Sequence, residues 1–122
     1  MLFRSAALGA IETMEADNLT ARARRIGEIM LPRLHALADK YPVIADVRGR
    51  GAMLAVELTE PGGLKPDPAA AGKVAAACHS AGLMVLTCGT FGNVLRFLPP
   101  LVIGETLLNE GLSVLEDAFA GL

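Results

Sequence analysis

The sequence predicts an α+β domain: a small, mostly antiparallel sheet covered by helices. Three observations carry this. An apolar stripe at helical spacing runs through Leu19, Ala23, Ile26, Met30, Leu34 and Leu37. A hairpin signal occupies Leu83 to Leu98. A second helical stripe, Leu108, Leu112, Leu115 and Phe119, closes the chain.

The elements follow in order. From Ser5 to Glu15 the apolar residues Ala7, Leu8, Ile11 and Met14 fall at helical spacing. Asp17-Asn18 breaks this helix and caps the next, whose stripe from Leu19 to Leu37 is amphipathic. Pro32 lies inside it and predicts a kink or a break, because proline removes one helical hydrogen bond. Tyr41-Pro42 ends the segment. Ile44 to Leu58 reads as extended structure, with Gly49 and Gly51 marking a bend or bulge before a strand over 52–58. Thr59 to Asp67, rich in Pro and Gly, is a surface loop. Asp67-Pro68 is a helix start, an acidic N-cap followed by proline at the first helical position. That helix is expected to bury Ala70, Val74, Ala77, Cys78 and Ala81 and to stop at Gly82. Leu83 to Cys88 reads as a buried strand, Gly89 to Asn93 as a tight turn, and Val94 to Leu98 as the returning strand. Pro99-Pro100 ends the hairpin, and the last helix spans 105–119. The order is therefore helix, helix, strand, loop, helix, strand, strand, helix.

The 122 residues suit one domain, large enough to bury a core without disulfides or metal. Hydrophobic residues make up 52% but aromatic ones only 4%, so Ala, Val, Leu and Ile supply an apolar excess that fits a piece with faces meant to be covered. The net charge of -2 argues against a nucleic-acid binder. The densest basic stretch, Arg22, Arg24 and Arg25, reads as a solvated helix face interleaved with acids. Cys78 and Cys88 share no C-x-x-C spacing and have no histidine at ligand spacing, so they read as free thiols rather than a zinc site. No apolar run is long enough to span a bilayer and the first residues turn polar too soon for a signal peptide, so the expectation is a cytoplasmic protein.

Arg96 is the residue that stands out for chemistry. It lies mid-strand in Val94-Leu95-Arg96-Phe97-Leu98, where an unpartnered charge is costly to bury. The strand alone leaves two readings open. One is an edge-strand arginine that reaches water or pairs with a nearby Glu. The other is a planar fork aimed at a substrate carboxylate. His35 and His79 share no spacing and read as surface or boundary residues. Lys40, Lys65 and Lys73 sit in polar contexts, and none reads as a desolvated Schiff-base lysine. The glycines of Arg48-Gly49-Arg50-Gly51 are a backbone-geometry signal, since a phosphate cradle needs strand–loop–helix and a strand follows here. No metal site and no nucleophile–base arrangement is apparent.

Taken together, five segments resemble the class III aminotransferases, pyridoxal-phosphate (PLP) enzymes of fold type I. They are Ser5–Met14, Asn18–Gly27, Val47-Arg48-Gly49-Arg50-Gly51-Ala52-Met53, Gly82-Leu83, and Arg96-Phe97-Leu98-Pro99-Pro100-Leu101. The match covers about Ser5 to Phe119. Within the family, Leu86-Thr87-Cys88-Gly89 and Gly92-Asn93-Val94-Leu95-Arg96 are most similar to the 4-aminobutyrate type. The resemblance implies that residues 1–17 form the helix leaving an absent large domain and that residues 18–122 form the C-terminal small domain. It implies that Arg96 is substrate-binding, gripping the carboxylate of glutamate or 2-oxoglutarate. The family's Schiff-base lysine, the acid facing the pyridine nitrogen and the phosphate-binding loop belong to the large domain. This chain alone is then expected to hold no catalytic or cofactor-binding residue, to lack PLP and to be inactive. Partners implied for the parent are amino-acid and oxo-acid substrates and a second copy of itself, with no nucleic acid and no membrane. The alternatives are another class III ω-aminotransferase of ornithine or acetylornithine type, and a solitary binding module. Two departures stand out: Met1–Arg4 do not match what precedes this helix in the family, which suggests a truncation or junction there, and Gly104 stands where Ser or Thr often caps the last helix.

Overall fold

A computed structural model describes residues 2–122. The chain forms α1 (Leu2–Ala16), α2 (Leu19–Lys40), β1 (Ile44–Arg50), β2 (Met53–Leu58), α3 (Pro68–Ser80), β3 (Leu86–Cys88), β4 (Val94–Phe97) and α4 (Glu105–Ala120). The four strands make one antiparallel sheet in the order β1-β2-β4-β3. The α+β class is as predicted, with one strand more. Ile44–Arg50 is a strand of its own and pairs with β2 as a hairpin turning at Gly51-Ala52, and the bulge falls between Ile44 and Asp46.

One sheet face carries the core. Leu54, Val56 and Leu58 of β2 and Leu95 and Phe97 of β4 are buried there with Ile26, Met30, Leu34 and Leu37 of α2, Val74 and Cys78 of α3, and Leu112, Leu115 and Phe119 of α4. The helical stripes of α2 and α4 predicted this inward face. α2 and α3 pack on the sheet, and α4 closes the layer against both helices. α2 approaches the β1–β2 turn so closely that a Cβ on Gly27 would lie 2.6 Å from the Gly51 carbonyl oxygen.

Several local expectations change. α2 runs unbroken through Pro32. Pro32 is exposed, so the carbonyl one turn back can turn to water while Met30 and Leu34 hold the helix in the core. Asn18 does separate α1 from α2, but by a left-handed backbone (φ 49°, ψ 47°) and not by a side-chain cap. Asp67 does cap α3, its Oδ1 accepting from the Ala70 N–H at 2.9 Å. α3 buries Ala71 and Ala75 where Ala77 and Ala81 were expected, because its stripe follows Val74 and Cys78. β3 is three residues long, lies at the sheet edge, and exposes Leu86 and Thr87 rather than burying them.

α1 buries none of its stripe. Phe3, Leu8, Ile11 and Met14 are all exposed.

Candidate functional site

Among the described residues no helix packs on the second face of the sheet, although Val94 of β4 is buried there. Pairing registers place Arg48, Ala55, Arg96 and Leu86 in one row across β1, β2, β4 and β3, with Asp46, Glu57, Val94 and Cys88 in the next row. Side chains alternate between faces, so the burial of Leu95 and Phe97 puts Arg96 on this open face.

The two arginines of the row differ. Arg48 Nη1 donates to Asp46 Oδ2 at 2.6 Å and to Glu57 Oε2 at 2.7 Å. Those carboxylates raise its pKa, the hydrogen bond to Asp46 first and that to Glu57 next. Arg96 is exposed and has no hydrogen-bonded or ionic partner among the described residues. It is also not an edge residue, since β4 lies between β2 and β3. Arg96 is thus neither on an edge strand nor paired with a Glu; its side chain reaches water, where it can also meet an anion. Ala55 beside it is small, and Leu86 on the other side is an apolar wall.

Arg96 stands at a groove of about 640 Å³ between the ends of β3 and β4, the segment after β4, and α4. Its lining is apolar, with Leu83, Met84, Leu86, Leu98, Pro99 and Leu107 prominent; Arg96 and Glu110 are its charged residues.

Arg22 is the residue that sequence reasoning undervalued. It is half-buried, not solvated: its Nε donates to Leu101 O at 3.1 Å and its Nη2 to Ile103 O at 2.6 Å. The signal was present, since Arg22 lies three residues after Leu19 and four before Ile26 and so shares their face of α2. Arg25 pairs with Glu105, which raises the arginine pKa and lowers that of the carboxyl. Arg24 is exposed as expected.

His35 is exposed, and the His79 Nε2–H donates to Val85 O at 2.8 Å, tying the end of α3 to the approach to β3. Cys78 is buried, which pushes its thiol pKa up, and both cysteines are free. Among the described residues no cluster of His, Cys, Asp or Glu could hold a metal ion, and no helix is long and apolar enough to cross a membrane. All three lysines are exposed: Lys65 pairs with Glu60 at 2.6 Å, and Lys40 lies over the Tyr41 ring. A covalently held PLP needs a lysine in an enclosed pocket, so the residues of this chain do not by themselves fit that cofactor.

A family model described as Aminotransferase class-III matches residues 1–119. A 4-aminobutyrate aminotransferase of Mycobacterium leprae is 51% identical over 111 residues, which are 91% of this chain and 25% of that protein. The 5-aminovalerate aminotransferase DavT of Pseudomonas putida is 46% identical over 116 residues, 95% of this chain and 27% of that protein. Among solved structures, a phospholyase from Arthrobacter in complex with phosphoethanolamine superposes with a TM-score of 0.88 at 30% identity, covering 96% of this chain and 28% of that one. The chain spans about a quarter of the length of the curated relatives it matches.

Proposed function

The chain belongs to the class III aminotransferases, and on that premise we propose that it is the C-terminal small domain of a 4-aminobutyrate–2-oxoglutarate aminotransferase, with Arg96 as its substrate-binding residue. In this reading residues 1–17 leave the large domain and residues 18–122 form the small one. The whole enzyme moves an amino group from 4-aminobutyrate to 2-oxoglutarate. The large domain brings the PLP, and this domain brings the grip on the acceptor.

The observation that carries the reading is the unpartnered guanidinium on an inner strand, facing an uncovered sheet face beside an apolar groove. Arg96 offers two parallel N–H donors, which match the two oxygens of a carboxylate. Arg96 is exposed in this chain, so water would be kept from the ion pair, and the pair strengthened, once the large domain covers this face. The likeness to 5-aminovalerate aminotransferase, only slightly weaker than to the mycobacterial 4-aminobutyrate enzymes, supports a second reading in which the donor is one methylene longer.

The test grafts this chain into the Mycobacterium leprae relative in place of the matching quarter. The chimaera should transaminate 2-oxoglutarate, and comparing four-carbon with five-carbon ω-amino acids decides the donor. The 122 residues alone should be inactive and should retain no PLP after dialysis. Charge-assisted hydrogen bonds contribute about 1.5–3 kcal/mol each, so Arg96→Ala should cost roughly a hundredfold or more in kcat/KM for 2-oxoglutarate. Arg96→Lys should recover only part. An aldehyde acceptor without a carboxylate should lose much less. Equal losses for both acceptors, in a variant that melts well below the parent, would overturn the role of Arg96.

A further inference from the structure

The segment from Leu98 to Gly104 joins the strand that carries Arg96 to α4 and contains neither helix nor strand. Pro99 and Pro100 have no N–H to donate. One backbone bond, from the Ile103 N–H to Pro100 O at 3.0 Å, closes a turn inside it. From Leu98 to Ile103, the hydrogen bonds that tie this segment to the rest of the protein, among the described residues, are the two that Arg22 donates to Leu101 O and Ile103 O. Leu98, Pro99, Pro100 and Ile103 line the groove at which Arg96 stands. One guanidinium on α2 therefore holds the wall of that groove.

We propose that Arg22 is a positioning residue, fixing the Leu98–Gly104 wall beside Arg96 and so setting how tightly the carboxylate of an oxo acid is held. This rests on the substrate-binding reading of Arg96. The fork of Arg22 spans two carbonyls two residues apart and locks the turn between them as one unit. An alanine leaves both acceptors half-buried without a donor, and the segment moves toward water to satisfy them. A lysine reaches one carbonyl at a time and holds the segment less firmly.

Two measurements test this. In the isolated chain, the Ile103 amide, which donates to Pro100 O inside this turn, should exchange hydrogen faster in Arg22→Ala than in the parent, with Arg22→Lys intermediate and the amides of β2 and α3 unchanged. In the chimaera, Arg22→Ala should raise KM for 2-oxoglutarate roughly three- to tenfold with kcat within about twofold, and Arg22→Lys should recover part of the loss. Arg25→Ala breaks an exposed pair between α2 and α4 but leaves both carbonyls held, so it should leave KM unchanged. An unchanged KM in Arg22→Ala, where Arg96→Ala is impaired, overturns the positioning role and spares Arg96. An unchanged kcat/KM for 2-oxoglutarate in Arg96→Ala overturns the reading of Arg96 itself. Should Arg22→Ala not fold, Arg22→Lys decides: a KM equal to the parent's overturns the proposal.

Discussion

Gly27→Ala should destabilise the domain even though alanine is the better helix former. The added Cβ would lie 2.6 Å from Gly51 O, 3.2 Å from Gly51 C and 3.3 Å from Gly51 Cα, all backbone atoms. A comfortable contact needs about 3.4 Å or more, so α2 and the β1–β2 turn must part by most of an ångström against a close-packed interior. The turn cannot yield cheaply. Gly51 already has φ of +57°, and a Cβ on Gly49 would lie 2.2 Å from Met53 O. Overpacking of this kind costs about 1–3 kcal/mol, and a rigid backbone neighbour favours the upper half of that range. Replacing a helical glycine by alanine returns about 1 kcal/mol. The net loss is about 1–2 kcal/mol, or several degrees in Tm for a domain of this size. Gly72→Ala in α3 is the matched control. Nothing lies within 4 Å of its Cβ position, so only the propensity gain remains and stability should rise by about 0.5–1 kcal/mol. Urea unfolding of the 122-residue chain, followed by circular dichroism, measures both variants. A Gly27→Ala chain as stable as the parent, alongside a Gly72→Ala chain that gains as stated, would refute the steric argument.

Two further outcomes can be read on the same chain. The Arg33 Nε donates to Glu116 Oε1 at 2.7 Å, and this bond chiefly holds the carboxyl below its ordinary value. Because the folded pKa is the lower one, the stabilisation is complete above the unfolded value of about 4.3 and is lost as pH falls through the folded value. Glu116→Gln should therefore lower stability by a few tenths of a kcal/mol at neutral pH, a surface-pair magnitude, and by less near pH 3; a difference that grows on acidification contradicts the assignment. The second outcome concerns α1, whose Phe3, Leu8, Ile11 and Met14 are uncovered. The isolated chain should sediment as a dimer or larger at moderate concentration, and Ile11→Glu should shift it toward monomer. A monomer at high concentration in the parent chain counts against an adhesive α1.

Where the apolar period is clean, the sequence was legible. α2 and α4 place Ile26, Met30, Leu34, Leu112 and Phe119 inward as their spacing requires, and Asp67-Pro68 announced the start of α3 by chemistry that acts within one turn. The extended structure predicted over 44–58 is present, but β1 was not set apart as a strand because the bulge between Ile44 and Asp46 breaks the alternation: Ile44 and Val47 face the core three residues apart, which no period of two yields. β3 was misread because an apolar run is the same whether a neighbour covers it or not; Leu86 is exposed at the edge of the sheet. Arg96 was visible as a charge in an apolar strand. The inward face of Arg22 was legible from its spacing, but its partners were not: they are backbone carbonyls 79 and 81 residues away, and carbonyls have no letter in a sequence.

The open face also explains why one arginine of the row, and not the other, is the candidate grip. Fold alone does not choose the reaction, since an aminotransferase and a phospholyase both resemble this chain closely. The choice has to come from side chains, and here it comes from what happens to charge when the face is covered. Taking a lone guanidinium out of water is costly unless an anion joins it. Arg48 brings Asp46 and Glu57 with it, so its own charge is already met within the row and needs no further anion when the face is covered. Arg96 brings nothing. On the proposed reading, the large domain strips water from Arg96, and an acceptor with a carboxylate restores what was lost while one without a carboxylate does not. On that reading, the desolvation that makes an empty Arg96 costly would also make its grip on an oxo acid selective, with the small Ala55 as its neighbour in the row.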